Sequence, residues 1–310
     1  MSAAGCQFVF GPVPSRRLGR SLGVDLVGPK TCCLDCIYCQ VGRTTVHTLR
    51  RDEYVPADAV IAEVRAKLAD DRPDYITMSG SGEPTLNSQI GRIIREIKSF
   101  TDVPIAVLTN GALLWDPEVR RDLDTADLVL PSLDATNDRQ FQAVCRPCEG
   151  LSFERLIEGL VVFRREHAGP VWLEVFLVEG LNSSDADIEA FAELMARIRP
   201  DRIQLNAAVR PTAEADVPCV SRERMDQIAR RLGPTAEVIA DYPAPAAADA
   251  RLAAREEQVL EMLQRRPCTV DDIAAGLGTV PNEVLKHVEH LLRTGRIRRV
   301  RRSDKDFYAT

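Results

Sequence analysis

The sequence contains no run of 18 or more apolar residues, which excludes a helix that crosses a bilayer. Nor does Met1-Ser2-Ala3-Ala4-Gly5-Cys6 supply a basic segment followed by an apolar stretch, so no secretion signal is expected. Without secretion, the nine cysteines are expected to meet a reducing cytosol, where thiols hold metals rather than pair as disulfides. Extreme charge is missing as well. The net −6 is split unevenly: from Arg251 onward twelve Lys and Arg face nine Asp and Glu, a net of +3, which leaves −9 for residues 1–250. Such asymmetry points to a separate C-terminal unit with its own partner. What is present is a 310-residue chain with 45% hydrophobic residues, enough for one large or two smaller packed domains.

Residues 30–39 read KTCCLDCIYC and put Cys32, Cys36 and Cys39 at CxxxCxxC spacing. Three thiolates on one tight loop can hold three irons of a 4Fe-4S cluster and leave the fourth iron open to a small chelating molecule. A zinc site is the alternative, but it wants a second cysteine pair at suitable distance. Cys33 beside Cys32 makes the first ligand ambiguous, and the spacing favours Cys32.

Around this loop, strands and helices alternate. Gly11 to Ser21 sets Arg16, Arg17 and Arg20 among Gly and Pro and reads as an ordered loop, either gripping a phosphate or carboxylate or simply solvated. A short apolar strand over 23–27 follows. Val60, Ile61, Val64 and Leu68 recur at helical spacing, and a strand over 74–79 ends in Gly80-Ser81-Gly82-Glu83-Pro84-Thr85. The glycines there allow close backbone approach, and the carboxylate can accept bonds from an amino group. Ile90, Ile93, Ile94 and Ile97 mark a helix, 104–109 a strand ending at Asn110-Gly111, and 127–133 a strand ending in Ser132-Leu133-Asp134-Ala135. A helix over 152–165 leads to a strand over 171–178 that exits through Glu179-Gly180-Leu181-Asn182. The next helix, opened by Ser184 or Asp185, carries Ile188, Phe191, Met195 and Ile198 on one face. A strand over 202–207, exiting toward Arg210-Pro211, completes the set. Six strands alternating with helices predict a parallel sheet, and polar or glycine-rich strand ends are where barrel-type α/β proteins keep their chemistry. The expected fold is α/β, a partial (β/α)6 barrel.

In consecutive order, CxxxCxxC with Tyr38 before its last cysteine, Gly82-Glu83-Pro84, Thr109-Asn110-Gly111 and the Ser132-to-Ala135 segment resemble the radical S-adenosylmethionine (SAM) superfamily. The resemblance covers about residues 8–212. It implies that Cys32, Cys36 and Cys39 bind the cluster, and that Gly82, Glu83, Ser132, Asp134, Asn182 and Tyr38 help seat SAM. It implies also that reductive cleavage of SAM yields a 5'-deoxyadenosyl radical, which takes a hydrogen atom from a substrate, and that a donor such as flavodoxin or ferredoxin supplies the electron. The 11–21 stretch resembles a clade of iron-sulfur oxidoreductases grouped with the tRNA wyosine-base synthases. An RNA, in particular a tRNA base, is therefore the first substrate expected, and a peptide or small molecule the second. Those synthases look to carry a second cluster from additional N-terminal cysteines, whereas only Cys6 precedes the motif here, which argues for another reaction within the clade. Cys145 and Cys148 add a CxxC past the fourth strand, suited to an auxiliary cluster with Cys219 or Cys33, to thiol chemistry, or to burial as free cysteines.

Residues 241–255 read as a Pro/Ala linker, and 256–310 as a unit of its own. A helix over 256–265 turns Val259, Leu260 and Leu263 inward, a second starts at Thr269, and a third, after a turn at Leu277-Gly278, carries Val284, Val288, Leu291 and Leu292. With 297–302 and 306–308 paired as a wing, this resembles a winged helix-turn-helix domain. Lys286, Arg293, Arg296, Arg298, Arg299, Arg301 and Arg302 gather where phosphate contacts with RNA or DNA form, with Asn282 and His287 as polar readers. Docking of a protein is the alternative. For the whole chain, the contrasting reading is a cluster-bearing regulator that binds DNA. Against it stand the retained Gly82-Glu83-Pro84 and the polar strand ends, since a sensor needs the cysteines only.

Overall fold

The computed structural model describes residues 8–15, 17–209, 212–240, 256–260, 262–263, 267–277, 281–302 and 305–310. Arg16, the Arg210-Pro211 exit, the 241–255 stretch and the turn at Gly278 lie outside the described residues, as do the side chains of Asn282, Lys286, Arg293 and Arg302. The chain divides into two compact units, Met1–Ala240 and Asp241–Thr310.

The first unit opens with an antiparallel pair, β1 (Val9–Ser15) and β2 (Gly19–Val24). A long loop follows, holding the two-residue parallel strands β3 (Thr31–Cys32) and β4 (Val46–His47). Then come α1 (Ala57–Asp70), β5 (Tyr75–Met78), α2 (Ile90–Lys98), β6 (Ile105–Thr109), α3 (Pro117–Asp122) and β7 (Leu128–Pro131). After them run α4 (Asp138–Gln140), α5 (Phe153–Glu166), β8 (Trp172–Leu177), α6 (Asp185–Ile198), β9 (Arg202–Ala207), α7 (Arg222–Leu232) and β10 (Ala236–Val238). Strands β2, β5, β6 and β7 are parallel neighbours, and so are β8, β9 and β10. Parallel bridges Val129–Val171 and Ser132–Glu174 join β7 to β8. Six parallel strands are therefore found where six were expected, the first lying at Gly19–Val24 rather than 23–27, and they are extended by β1 at one edge and by β10 at the other.

Buried faces explain the helices. In α2, Ile90, Ile93, Ile94 and Ile97 all point into the core, as the three-and-four spacing requires. Ser184, not Asp185, caps α6, exchanging hydrogen bonds with Asp187 in a capping box.

The 11–21 stretch is not a loop but most of the β1–β2 hairpin, a correction with a physical reason. An edge strand needs no ladder bond on its solvent side, so it tolerates Pro12 and Pro14, and the register shifts between Phe10 and Val13 to pass Gly11-Pro12. The hairpin turn carries Leu18 inward against Ala106, Leu128 and Leu130, with Tyr75, Leu108 and Trp172 packed around them. Most of these sit at the first or second residue of their strands, so Leu18 plugs the end of the barrel opposite the strand C-termini.

In the second unit, residues 256–260 and 262–263 are helical, followed by helices Val270–Leu277 and Pro281–Arg293 and by the antiparallel hairpin β11 (Arg298–Arg302) and β12 (Lys305–Ala309). Thr269 and Asp272 cap the helix that begins at Val270. Val259, Leu263, Ile273, Val284, Val288 and Leu291 form its core. Among the described residues, no helix is long and apolar enough to cross a membrane.

Candidate active site

The cysteine loop is held to the C-terminal ends of several strands by its own backbone. Lys30 N donates to Ser81 O (2.8 Å) and Glu83 N to Thr31 O (3.0 Å), which ties the loop to the segment after β5. Asp35 N donates to Cys145 O (3.0 Å), Ile37 N to Val144 O (3.0 Å) and Cys148 N to Cys33 O (2.9 Å), which ties it to the segment after β7. Tyr38 anchors the third side: its ring stacks on Phe176 of β8 with centroids 3.9 Å apart, and its hydroxyl donates to Asp134.

The thiols suit a multi-iron group. Cys32, Cys36 and Cys39 are partly exposed, whereas Cys33, Cys145 and Cys148 are buried. N–H groups of the kind that stabilise ligand thiolates are in place: Leu34 N lies 3.4 Å and Asn110 Nδ2 3.5 Å from Cys32 Sγ, and Lys30 Nζ 3.5 Å from Cys39 Sγ. A hydrogen bond with Cys33 pulls Cys32 below the usual thiol range and pushes Cys33 well above it. Cys145 is pushed up by its bond with Cys36 and then by burial, and burial takes Cys148 to about 11. The non-motif thiols beside the loop therefore keep their protons. Burial also raises Cys39, opposed by the Lys30 ammonium. Among the described residues, no three His, Cys, Asp or Glu side chains meet to hold a single ion; the three motif thiols are strung along one loop instead.

Gly82 packs directly on the loop: a Cβ there would lie 2.0 Å from Thr31 O. Glu83 is buried, and its carboxylate accepts from Thr85 N (3.0 Å), Thr85 Oγ1 (2.6 Å), Thr109 Oγ1 (2.6 Å) and Asn110 N (2.7 Å). Burial raises its pKa against those bonds. Glu83, read from the sequence as a partner for an amino group, thus joins the ends of β5 and β6. Asn182 is likewise bonded within the fold. It is fully buried, donates to Asp134 O (2.8 Å) and Phe176 O (2.9 Å) and accepts from Val178 N (2.7 Å), so its amide is spent on the backbone. Ser132, half-buried at the end of β7, makes no side-chain hydrogen bond among the described residues.

Asp134 accepts from Phe176 N (2.6 Å) and Tyr38, yet burial lifts its pKa to about 7. Between the ordinary value of 3.8 and about 7 the folded chain keeps a proton that the unfolded chain has lost, so stability falls as pH rises through that window. Asp134→Asn is expected to flatten this slope, worth on the order of 4 kcal/mol at most. From about pH 4 to about pH 7 the urea midpoint of the parent should fall relative to that of the variant; parallel curves would refute the assignment.

The model of the radical SAM superfamily matches residues 27–195, more than half of the chain, from the cysteine loop into α6. The chain belongs to the radical SAM superfamily. Membership implies a 4Fe-4S cluster and SAM as cofactors. This radical SAM chain is 37% identical over 293 residues to a protein named GTPase Obg from Brachyspira hyodysenteriae, covering 94% of the present chain and 43% of that one. It is 35% identical over 208 residues to a UPF0026 protein from Methanocaldococcus jannaschii, covering 66% of this chain and 64% of that one. It thus spans less than two thirds of either relative. A radical SAM methyltransferase from Sphaerobacter thermophilus has a similar fold, with TM-score 0.57 and 24% identity over 72% of this chain and 67% of that one.

Within the radical SAM core, several residues gained importance only in three dimensions. Asn110, read as a turn residue, places its amide within 3.3 Å of Cys33 Sγ as well as beside Cys32. Arg17 does not wait for an external anion: its guanidinium pairs with Glu174 of β8, which also accepts from Asn206 Nδ2 of β9 (2.9 Å). Arg20 pairs with Asp71 at the surface. The signal for Glu174 was a lone carboxylate in an apolar strand, WLEVFL.

Proposed function

We propose that the chain is a radical SAM enzyme that holds a 4Fe-4S cluster at Cys32, Cys36 and Cys39 in a reducing cytosol, takes electrons from a flavodoxin or ferredoxin, and acts on an RNA base. The observation that carries the reading is the docking of the cysteine loop onto the ends of β5, β7 and β8, beside half-buried Ser132 and buried Asp134. When bound, the cluster and SAM supply the 5'-deoxyadenosyl radical that abstracts hydrogen. The protein positions and shields. Gly82 gives the backbone of its segment room against the loop, Glu83 and Asn182 hold the strand ends in register, and Tyr38 with Asp134 fixes the far side of the loop. Arg17, Glu174 and Asn206 form a bonded polar group that links the β1–β2 turn to β8 and β9. Cys145 and Cys148 support the loop rather than serve a second cluster: the Cys145 thiol bonds Cys36, and Cys148 N donates to Cys33 O (2.9 Å).

The RNA assignment rests on the second unit, which we read as a winged helix. Arg296, Arg298 and Arg301 are exposed on and beside β11, and Arg299 pairs with Asp306. The test is anaerobic deoxyadenosine formation with and without added tRNA, beside filter binding of tRNA across salt concentrations. Stimulation by tRNA is expected, and the double variant Arg298→Ala, Arg301→Ala should lower the slope of log affinity against log salt by about 2. Neither stimulation nor retention would move the reading to a peptide or small-molecule substrate.

A further inference from the structure

Lys30 combines three features that a loop residue seldom shows together. Its φ is +59°, the left-handed region that crowds a side chain and favours glycine. Its backbone is a junction: N donates to Ser81 O (2.8 Å), while O accepts from Thr45 N (3.0 Å) and Val46 N (3.1 Å). Its half-buried side chain folds back over the loop, where Nζ donates to Gly42 O and to Cys39 Sγ (3.5 Å). Glycine would satisfy the backbone with less strain, so the side chain is retained at a cost, and a strained residue at a site points to a role there.

Resting on the radical SAM reading, we propose that Lys30 is a tuning residue that acts through Cys39: its ammonium raises the reduction potential of a cluster bound at Cys32, Cys36 and Cys39. Hydrogen bonds to ligand sulfurs and nearby charge set the potentials of such clusters. A cation against one sulfur favours the state that carries one more electron, and partial burial limits its screening. Among the described residues, the donors to Cys32 are neutral: Leu34 N, Asn110 Nδ2 and the Cys33 thiol. Arg43, nearby in the same loop, is paired with Asp35 and Glu214. Lys30 is therefore the cation that the described residues aim at a motif sulfur.

The test compares the full-length parent, Lys30→Met, Lys30→Gln and Lys30→Arg after anaerobic reconstitution with iron and sulfide. Iron per chain is counted, and the one-electron reduction by dithionite is followed by paramagnetic resonance at set potentials without SAM. At equal iron content, Lys30→Met is expected to titrate at a more negative potential and Lys30→Arg near the parent. Should Lys30→Met take up too little iron, Lys30→Gln, which keeps a neutral donor of similar length, is expected to shift the same way by less. A filled cluster at the parent potential in the neutral variants overturns the proposal alone. A parent chain that binds no cluster overturns the reading beneath it.

Discussion

Replacing Cys36 by Ala is expected to leave a folded chain that no longer takes up its cluster, with the visible absorption lost and deoxyadenosine formation abolished. Three protein ligands hold a cluster with one open iron, so losing one leaves two. The loss should exceed the roughly 10–100-fold that changes behind the ligands cost. Cys145 is the informative control, because its thiol is hydrogen-bonded to Cys36 and could in principle stand in for it. That bond and burial hold its proton on, so Cys145→Ala should keep about four irons per chain. Iron content and the visible spectrum of both variants decide the point. A parent with about eight irons, falling to about four in Cys145→Ala, would instead make Cys145 and Cys148 ligands of a second cluster.

Gly82→Ala should act on the same loop from the opposite side. The new Cβ would meet Thr31 O at 2.0 Å, Val27 Cγ2 at 2.8 Å and Thr31 C at 2.9 Å. Two of the three are backbone atoms, and Thr31 is also fixed by the bond from Glu83 N (3.0 Å), so the loop must move. Overpacking of this kind costs about 1–3 kcal/mol. Because Thr31 adjoins Cys32, cluster uptake should fall along with stability. Urea midpoints and iron content measured together test this, and parent values for both would mean that the segment does not press on the loop as described.

Residues whose roles are local could be read from the chain. The cysteine spacing lies within ten residues, and strands such as IAVLT and LVLP are buried on both faces, so they show as continuous apolar runs. β1 hid behind its Gly and Pro, and β10, at three residues, was too short to leave a pattern. The roles of Glu83 and Asn182 were harder still. A buried polar side chain is defined by its partners, and these lie far along the sequence: Asn110 for Glu83 and Asp134 for Asn182, 27 and 48 residues away. Arg17 and Glu174 are 157 residues apart, so a basic residue beside glycines looked available for a ligand when it was already paired. The contact of the Cys145–Cys148 segment with the cysteine loop runs largely through backbone groups, which carry no sequence signature, beside the one thiol bond of Cys145 to Cys36.

One measurement bears on radical SAM chemistry most directly: the parent chain, reconstituted anaerobically and counted for iron, is reduced with dithionite in the presence of SAM, and 5'-deoxyadenosine is followed by chromatography. About four irons per chain and steady formation of deoxyadenosine are expected. A chain that binds the cluster yet releases no deoxyadenosine, with tRNA present or absent, would contradict the assignment of these residues to SAM cleavage.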